Sequence, residues 1–357
     1  MRATRLTTAS LPIPFRVAFA HAAARRGEAE NILVQARDAD GEAGYGEGCP
    51  RLYVTGETPQ TAEAFLGRRR DALLALDGLD ALRGWLETHR SDIDANPSAA
   101  CAAELALLDL FARQQAVPLD ALMGQKAGPV VVSAVYGLAP GPVFALQRLR
   151  FRLNGMTDAK LKLGGPHDLA RARRLAKGGR LRLDANNLWS DPDVAIAALR
   201  PLLGHAWAVE EPLAARDVAG MRRVADATGL RIVLDESLCT RADLDAVAGD
   251  DRFVLNLRVS KQGGLIRTLA LIAAARAAGH RIIVGAQVGE TSLLARAGLI
   301  ACAAAGPSLA AAEIGYGLHL LRRDTCEPSL TFRAGGRLAA PAAGFGPSRH
   351  LWSLFPD

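Results

Sequence analysis

Lysine is scarce in this chain: of 43 basic side chains only five are Lys, and three of those fall in two short segments, Ala-Lys160-Leu-Lys162-Leu-Gly-Gly and Val-Ser-Lys261-Gln-Gly-Gly. A surface cation in so Arg-biased a sequence is written Arg. Lys is needed where an amine must lose and regain a proton, which a guanidinium does not do. Between the two segments stand three acidic residues, each closing a short apolar run: Leu-Arg-Leu-Asp184, Trp-Ala-Val-Glu210 and Ile-Val-Leu-Asp235. From Lys162 the steps to Asp184, Glu210, Asp235 and Lys261 are 22, 26, 25 and 26 residues. Carboxylates flanked by amines, one strand-like unit at a time, describe a metal site with a proton-transfer base on either side.

Three carboxylates without a His or Cys companion are hard oxygen donors, suited to Mg2+ or Mn2+ rather than zinc. Removing a proton α to a carboxylate creates an enediolate, whose doubled negative charge a divalent cation and nearby ammonium groups stabilise where it develops. Nearby cations also lower an amine's pKa, so lysine serves as the base. Lys162 and Lys261 are the expected acid/base pair. Lys160, two residues from Lys162 and so on the same strand face, is expected to bind the substrate's carboxylate. Taken singly, an acidic residue at a strand end is a helix cap and a Lys-x-Lys is a solvated strand face. Five such residues in base–ligand–ligand–ligand–base order outweigh both readings.

The elements that must position them are legible as a repeat. Apolar runs at 131–136, 158–163, 181–184, 206–210, 231–235, 253–257, 281–286 and 310–314 alternate with helical stretches at close to 25 residues per unit. Eight strand-plus-helix units give an α/β fold of (β/α)8 barrel type, with chemistry at the C-terminal ends of the strands. Ahead of it, residues 3–20 and 30–38 read as strands, Asp38-Ala-Asp-Gly41 as a turn and Gly44–Gly48 as the returning strand. Thr58-Pro59 opens one helix and Asn96-Pro97 another. Residues 328–340 read as a hairpin returning to this α+β cap. The organisation expected is a cap over residues 1–125, a barrel over 126–325 and a C-terminal return, 326–357, packed on the cap.

The bulk numbers narrow the partners. A length of 357 residues suits two domains or a barrel with an attachment. A net charge of +6 invites an anion, but the arginines are scattered and aromatics are 5%, which speaks against nucleic acid and for a small carboxylate substrate. Five widely spaced cysteines, with no CxxC, read as reduced thiols. The N-terminus lacks the apolar run of a secretory leader, and charges interrupt the Ala-rich stretch 268–313, so no membrane association and a cytoplasmic location are expected. A homo-oligomer is expected as well. Gly44-Tyr-Gly-Glu-Gly48 is not a dinucleotide fingerprint, because Pro50 follows it rather than a helix start.

Lys160-x-Lys162, Asp184-Ala-Asn, Glu210-Glu-Pro, Asp235-Glu-Ser and Lys261-x-Gly-Gly together resemble the enolase superfamily, in its muconate-lactonizing-enzyme subgroup. The resemblance covers nearly the whole chain. It implies a modified barrel, (β/α)7β, closed by a cap, with Mg2+ on Asp184, Glu210 and Asp235 and with Lys162 and Lys261 as acid and base. Glu211, Glu236 and Asn186 would then support the ligands from behind, and Glu290 would lie near the substrate. The cap segments Pro14-Phe-Arg16, Gly46-Glu-Gly-Cys-Pro50 and Tyr53-Val-Thr-Gly-Glu57 are similar to those of dipeptide epimerases. His21, with Arg25 and Arg26, and Tyr53 are candidates for reading the substrate's distal end.

The same resemblance leaves the reaction open. Dipeptide epimerases carry Asp-x-Asp on the last barrel strand for the substrate's ammonium, where this chain reads Ala-Glu313-Ile-Gly, closer to the cycloisomerases. Racemisation or epimerisation of an amino-acid derivative leads, because two bases invert a centre. A cycloisomerase or dehydratase using one Lys, and a barrel that binds a carboxylate without turnover, are the alternatives.

Overall fold

The computed structural model describes residues 2–21, 24–340 and 346–355, excepting the side chains of 17–26. The chain begins with a three-stranded antiparallel sheet of β1 (Arg5–His21), β2 (Ala24–Arg37) and β3 (Ala43–Gly48). Four helices follow: α1 (Pro59–Leu74), α2 (Leu79–Thr88), α3 (Arg90–Ala95) and α4 (Pro97–Gln114). Thr58 caps α1 through a reciprocal pair with Thr61, as its Thr-Pro start predicts.

The glycines of β3 have a packing reason. A Cβ on Gly48, Gly46 or Gly44 would lie 2.0 Å from Ser98 O, 2.0 Å from Ala102 O or 2.2 Å from Leu110 N, all on the backbone of α4. Two strand residues rise about 6.6 Å and four helix residues about 6 Å, so every second residue of β3 meets successive turns of α4. Only glycine lets the two backbones lie that close. Gly46→Ala is therefore expected to cost about 3 kcal/mol or more, read from the urea midpoint. Exposed Gly67, in the middle of α1 with nothing near its Cβ position, should instead gain about 0.5–1 kcal/mol on replacement by Ala. Equal shifts in both variants would refute the close-packing account.

After the short α5 (Leu119–Leu122) and β4 (Val130–Val131) comes the repeat. It runs β5 (Ala134–Tyr136), α6 (Gly141–Leu153), β6 (Asp158–Lys162), α7 (Asp168–Ala176), β7 (Arg180–Asp184) and α8 (Pro192–Leu199). It continues with β8 (Ala208–Glu210), α9 (Val218–Thr228), β9 (Arg231–Leu234) and α10 (Arg241–Asp245). Then follow β10 (Phe253–Leu257), α11 (Leu265–Ala277), β11 (Arg281–Val284), α12 (Ser292–Ala305) and β12 (Leu309–Ala312). The strands β5 to β12 form one eight-stranded sheet in sequence order, with all neighbours parallel. Ser133 N donates to Ala312 O at 2.8 Å, tying the last strand back to the first. The eighth strand leads into the four-residue α13 (Gly317–Leu320) in place of a full-length barrel helix, which makes this a modified (β/α)8 barrel under an α+β cap.

The remaining strands correct one expectation. Within 328–340 a single turn bond, Arg333 N to Arg337 O at 2.9 Å, stands in place of a hairpin ladder: β13 (Cys326–Glu327) pairs with β15 (Gly346–Pro347), and β14 (Arg337–Leu338) pairs with β4. Val130 and Val131 offer a free strand edge before the barrel, and β14 takes it in place of a local hairpin. The closing α14 (Arg349–Ser353) brings Leu351 and, just beyond it, Phe355 into an apolar cluster with Leu11, Ile13 and Tyr45 of the first sheet.

Buried carboxylates lock that first sheet and α4 onto the barrel. Glu47 of β3 accepts from Thr291 Oγ1 at 2.6 Å and Thr291 N at 3.2 Å, capping α12. Glu104 of α4 accepts from Ile266 N at 2.8 Å in the first turn of α11. A Cβ at Gly264 would sit 1.7 Å from Glu104 Oε2, so the Gly-Gly after Lys261 is the seat of that carboxylate. Helix N-termini favour negative charge, which suits both contacts. The five cysteines are free. Among the described residues, no helix is long and apolar enough to cross a membrane.

Candidate active site at the C-terminal ends of the strands

Lys162 is the last residue of β6, Asp184 of β7 and Glu210 of β8, while Asp235 follows β9 directly. Lys162 is in register with Asp184, and Asp184 with Glu210, so they share one level of the barrel. Lys160 lies one layer deeper, buried, with Nζ 2.9 Å from Glu210 Oε1, 3.0 Å from Glu313 Oε2 and 3.2 Å from Asp184 Oδ2. The ammonium donates to Glu210 and Glu313 and forms an ion pair with Asp184. Burial pulls the Lys160 pKa down, but those three carboxylates carry it well above its ordinary value. Lys162 is the more open amine, its side chain 20% exposed, donating to Asn186 Oδ1 at 2.6 Å and lying 3.7 Å from Asp184 Oδ2.

Burial raises Glu210 to about 8 against the pull of Lys160, with Asp184, Glu313 and Asp235 adding repulsion. Asp235 is the opposite case: burial is outweighed by Arg258, Lys261 and Lys160, which hold its carboxyl well below the usual range. The backbone bends sharply around these carboxylates. Asn186, Asn187 and Glu211 all have positive φ, at 46°, 59° and 40°, an unusual region that Asn tolerates best. Glu211 accepts from Asp235 N at 2.6 Å and from Ser237 N and Oγ at 2.8 Å, so it braces the loop carrying Asp235. Burial lifts its carboxyl to about 7.

Other expected residues fall as follows. Glu313 is held by Lys160 and by the fully buried Arg182, whose guanidinium donates at 2.5 Å. Glu290 is buried, accepts from Gln287 N at 2.6 Å and is pushed by burial to about 8. Glu236 follows Asp235 and has an enclosed Oε2 without a partner. Tyr53 is half-buried on the turn after β3. The side chain of His21, like those of Arg25 and Arg26, lies outside the described residues.

Lys261, the other expected acid/base residue, is held against Asp235. This residue lies in the turn beyond β10, and its side chain is 0% exposed. Its Nζ donates to Asp235 O at 2.5 Å, Asp235 Oδ1 at 2.8 Å and Asn256 O at 3.0 Å. The residue that extends the row of strand ends is Arg258. Asn256, two residues before it, points inward, donating to Glu210 Oε1 at 3.1 Å. Strand alternation brings Arg258 to the same interior face. Its guanidinium contacts Asp235, lies 3.8 Å from Glu210 Oε1 and donates to Gln287 Oε1 at 3.0 Å. Selecting residues by their capacity to lose a proton passed over Arg258, Asn256 and Gln287, although the two-residue period of β10 pointed to the first two.

Among the described residues, no three carboxylate, imidazole or thiol groups converge as a metal centre. The three carboxylates are instead paired with Lys160, Lys162, Arg258 and Lys261. The donor set nevertheless fits a hard divalent cation: two Asp and one Glu from adjacent strands, with Glu210 Oε2 buried and without a hydrogen-bond partner. A separate cavity of about 250 Å3, lined by Arg180, Trp207 and Arg281, opens at the opposite end of the strands and plays no part in this arrangement.

A closed parallel barrel that aligns Lys, Asp, Glu and Asp at successive strand ends, beneath an α+β cap, defines an enolase-type architecture. The chain belongs to the mandelate racemase/muconate lactonizing enzyme family: the N-terminal domain model of that family matches residues 3–124, and the enolase C-terminal domain-like model matches 145–348. It is similar to the L-Ala-D/L-Glu epimerase of Bacillus subtilis (strain 168), 29% identical over 308 residues and 82% of each chain. It is also similar to muconate cycloisomerase 1-2 of Acinetobacter lwoffii, 30% identical over 263 residues, covering 69% of this chain and 67% of that one. Among solved structures, the dipeptide epimerase of Methylococcus capsulatus complexed with Mg and the dipeptide L-Arg-D-Lys superposes with a TM-score of 0.83. The two are 26% identical over 97% of this chain and 99% of that chain.

Proposed function

We propose that this protein is a Mg2+-dependent enzyme that removes the proton α to a carboxylate, giving an enediolate, and that it isomerises an amino-acid derivative. The observation that carries the reading is the placement of Lys162, Asp184 and Glu210 on one level at adjacent strand ends, with Asp235 just past the end of the next strand. A relative 29% identical over 82% of each chain is named an epimerase, which supports the outcome. Asp184, Glu210 and Asp235 would hold the divalent cation, which supplies positive charge to the enediolate oxygens. Lys162, the open amine of the group, takes the proton. Asn186 orients that amine, and Glu211 fixes the backbone of Asp235. The division into a cap (1–125 with 326–357) and a barrel (126–325), a homo-oligomeric state and a cytoplasmic setting belong to the same reading.

A second outcome, elimination or cycloisomerisation, is favoured by one observation: Lys160 and Arg182 hold both oxygens of Glu313, so that carboxylate is not free for a substrate's ammonium. The experiment is deuterium exchange. Dipeptides, N-acyl amino acids and other carboxylic acids are incubated in D2O with Mg2+, and the α position is read by NMR. Deuterium enters at least one acid in a manner that EDTA abolishes and Mg2+ restores. Exchange that is unchanged by EDTA, or absent from every acid, sinks the proposal.

A further inference from the structure

We propose that the N-terminal mouth of the barrel is a second binding site, and that it takes a small organic dianion, a phosphate monoester or a dicarboxylate, between Arg180, Arg231 and Arg281. The site goes beyond the α-proton chemistry and does not depend on it. The three arginines are the first residues of β7, β9 and β11, whereas Asp184 closes β7 and Asp235 follows β9.

Strand alternation brings them together. Val233 and Ile283 belong to an apolar cluster inside the barrel with Ala208, Val254 and Ala310. Arg231 and Arg281 stand two residues earlier on the same strands and face the same interior. Arg180 stands two residues before Arg182, which reaches Glu313 across the barrel. Its own guanidinium lies over Trp207 at 4.8 Å and donates to Ala310 O of β12 at 3.4 Å. Alternate strands furnish one interior layer of such a barrel, usually of branched apolar side chains. Here β7, β9 and β11 put arginine in that layer, and a cavity of about 250 Å3 opens among the three.

The protein does not balance this charge. Asp251 is the one carboxylate among the described residues of the lining, and it pairs with Arg231 at 3.0 Å. Arg180 has an aromatic face and a carbonyl for company, and the Arg281 guanidinium has no ion pair or hydrogen bond among the described residues. Three guanidiniums and one carboxylate leave a charge of +2, which a dianion neutralises. Guanidinium forks match the oxygens of phosphates and carboxylates. Phe253, with Val254 and Ala310, gives the cavity an apolar wall, so its ligand carries a short apolar body rather than being a bare ion. Trp207, in the same lining, has an enclosed indole N–H without a partner, a donor that the protein itself leaves unsatisfied.

The test is isothermal titration of phenyl phosphate, phthalate and inorganic phosphate into the full chain. EDTA is present, so that no divalent cation joins an anion to the strand-end carboxylates. At least one of the two organic anions should bind, one per chain, with a Kd of about 1 mM or tighter, and the tighter of them identifies the head group. Inorganic phosphate should bind at least about fivefold more weakly, for want of an apolar body. Arg281→Gln, which breaks no contact within the protein, should unfold at the wild-type temperature and weaken binding by about tenfold or more, the scale of one charge-assisted contact. Arg231→Gln should weaken it similarly, and Lys162→Ala, at the other end of the barrel, should leave it unchanged. A Kd weaker than about 1 mM for both organic anions, a Kd that neither arginine variant changes, or loss of binding in Lys162→Ala overturns the proposal. Inorganic phosphate binding as tightly as the organic anions overturns the assignment of an organic ligand.

Discussion

Lys162→Ala is expected to abolish α-proton exchange, lowering it by about 10³-fold within a general-base range of roughly 10²–10⁴. No neighbour can take over. Lys160 donates to Glu210 and Glu313 and pairs with Asp184, and Lys261 donates to Asp235 and Asn256. Lys162→Arg should not recover the rate, because guanidinium retains its proton. A small primary amine in the buffer should partly restore Lys162→Ala, because the missing group is an amine at a half-open position. The loss should fall on kcat more than on KM, since the amine acts on the transferring proton. Exchange in Lys162→Ala within tenfold of wild type would remove this residue from the chemistry.

The contrast between Lys162 and Lys261 shows what the sequence contains and what it withholds. The eight strands were legible because each is a short apolar run punctuated by turn residues, and the metal-type carboxylates because each ends such a run. Lys162 is a strand-end residue and was found by the same rule. Lys261 was found by its spacing, 26 residues on from Asp235, and by its Lys-x-Gly-Gly motif, and it lies four residues past the end of β10 at Leu257. Arg258, the residue just past Leu257, was passed over because the search was for a titrating base. Counting alternation from Asn256 would have found its place, though not its contacts with Asp235 and Gln287. The seats of Glu47 and Glu104 on α12 and α11 join residues more than 150 positions apart, and no local pattern announces them. The same holds for β14, whose partner β4 lies on the far side of the whole barrel sequence.

The three carboxylates are expected to separate on metal binding and on metal-free stability, because their counter-charges differ. Each of Asp184→Asn, Glu210→Gln and Asp235→Asn should weaken Mg2+ binding by about a hundredfold or more by isothermal titration, since even outer partners of a metal ligand are worth about 10–100-fold. Wild type should gain about 2.7 kcal/mol of stability at Mg2+ near 100 times its Kd, and the variants should gain little at that concentration. Without metal the variants diverge. Glu210 is raised by burial from 4.5 to about 8, so the folded state binds its proton more tightly than the unfolded chain. That contribution is fully present below about pH 4.5 and lost as pH rises through about 8. Glu210→Gln removes that pH dependence and should leave the metal-free protein at least as stable as wild type at pH 8. Asp235→Asn strips the carboxylate from the Arg258 and Lys261 cations and should cost about 3–5 kcal/mol, the scale for breaking a buried pair. Thermal unfolding at pH 8, with EDTA and then with Mg2+, reads both effects. If Glu210→Gln destabilised the metal-free protein as much as Asp235→Asn does, the charge distribution drawn here would be wrong; unchanged Mg2+ affinity in all three variants would move the metal elsewhere.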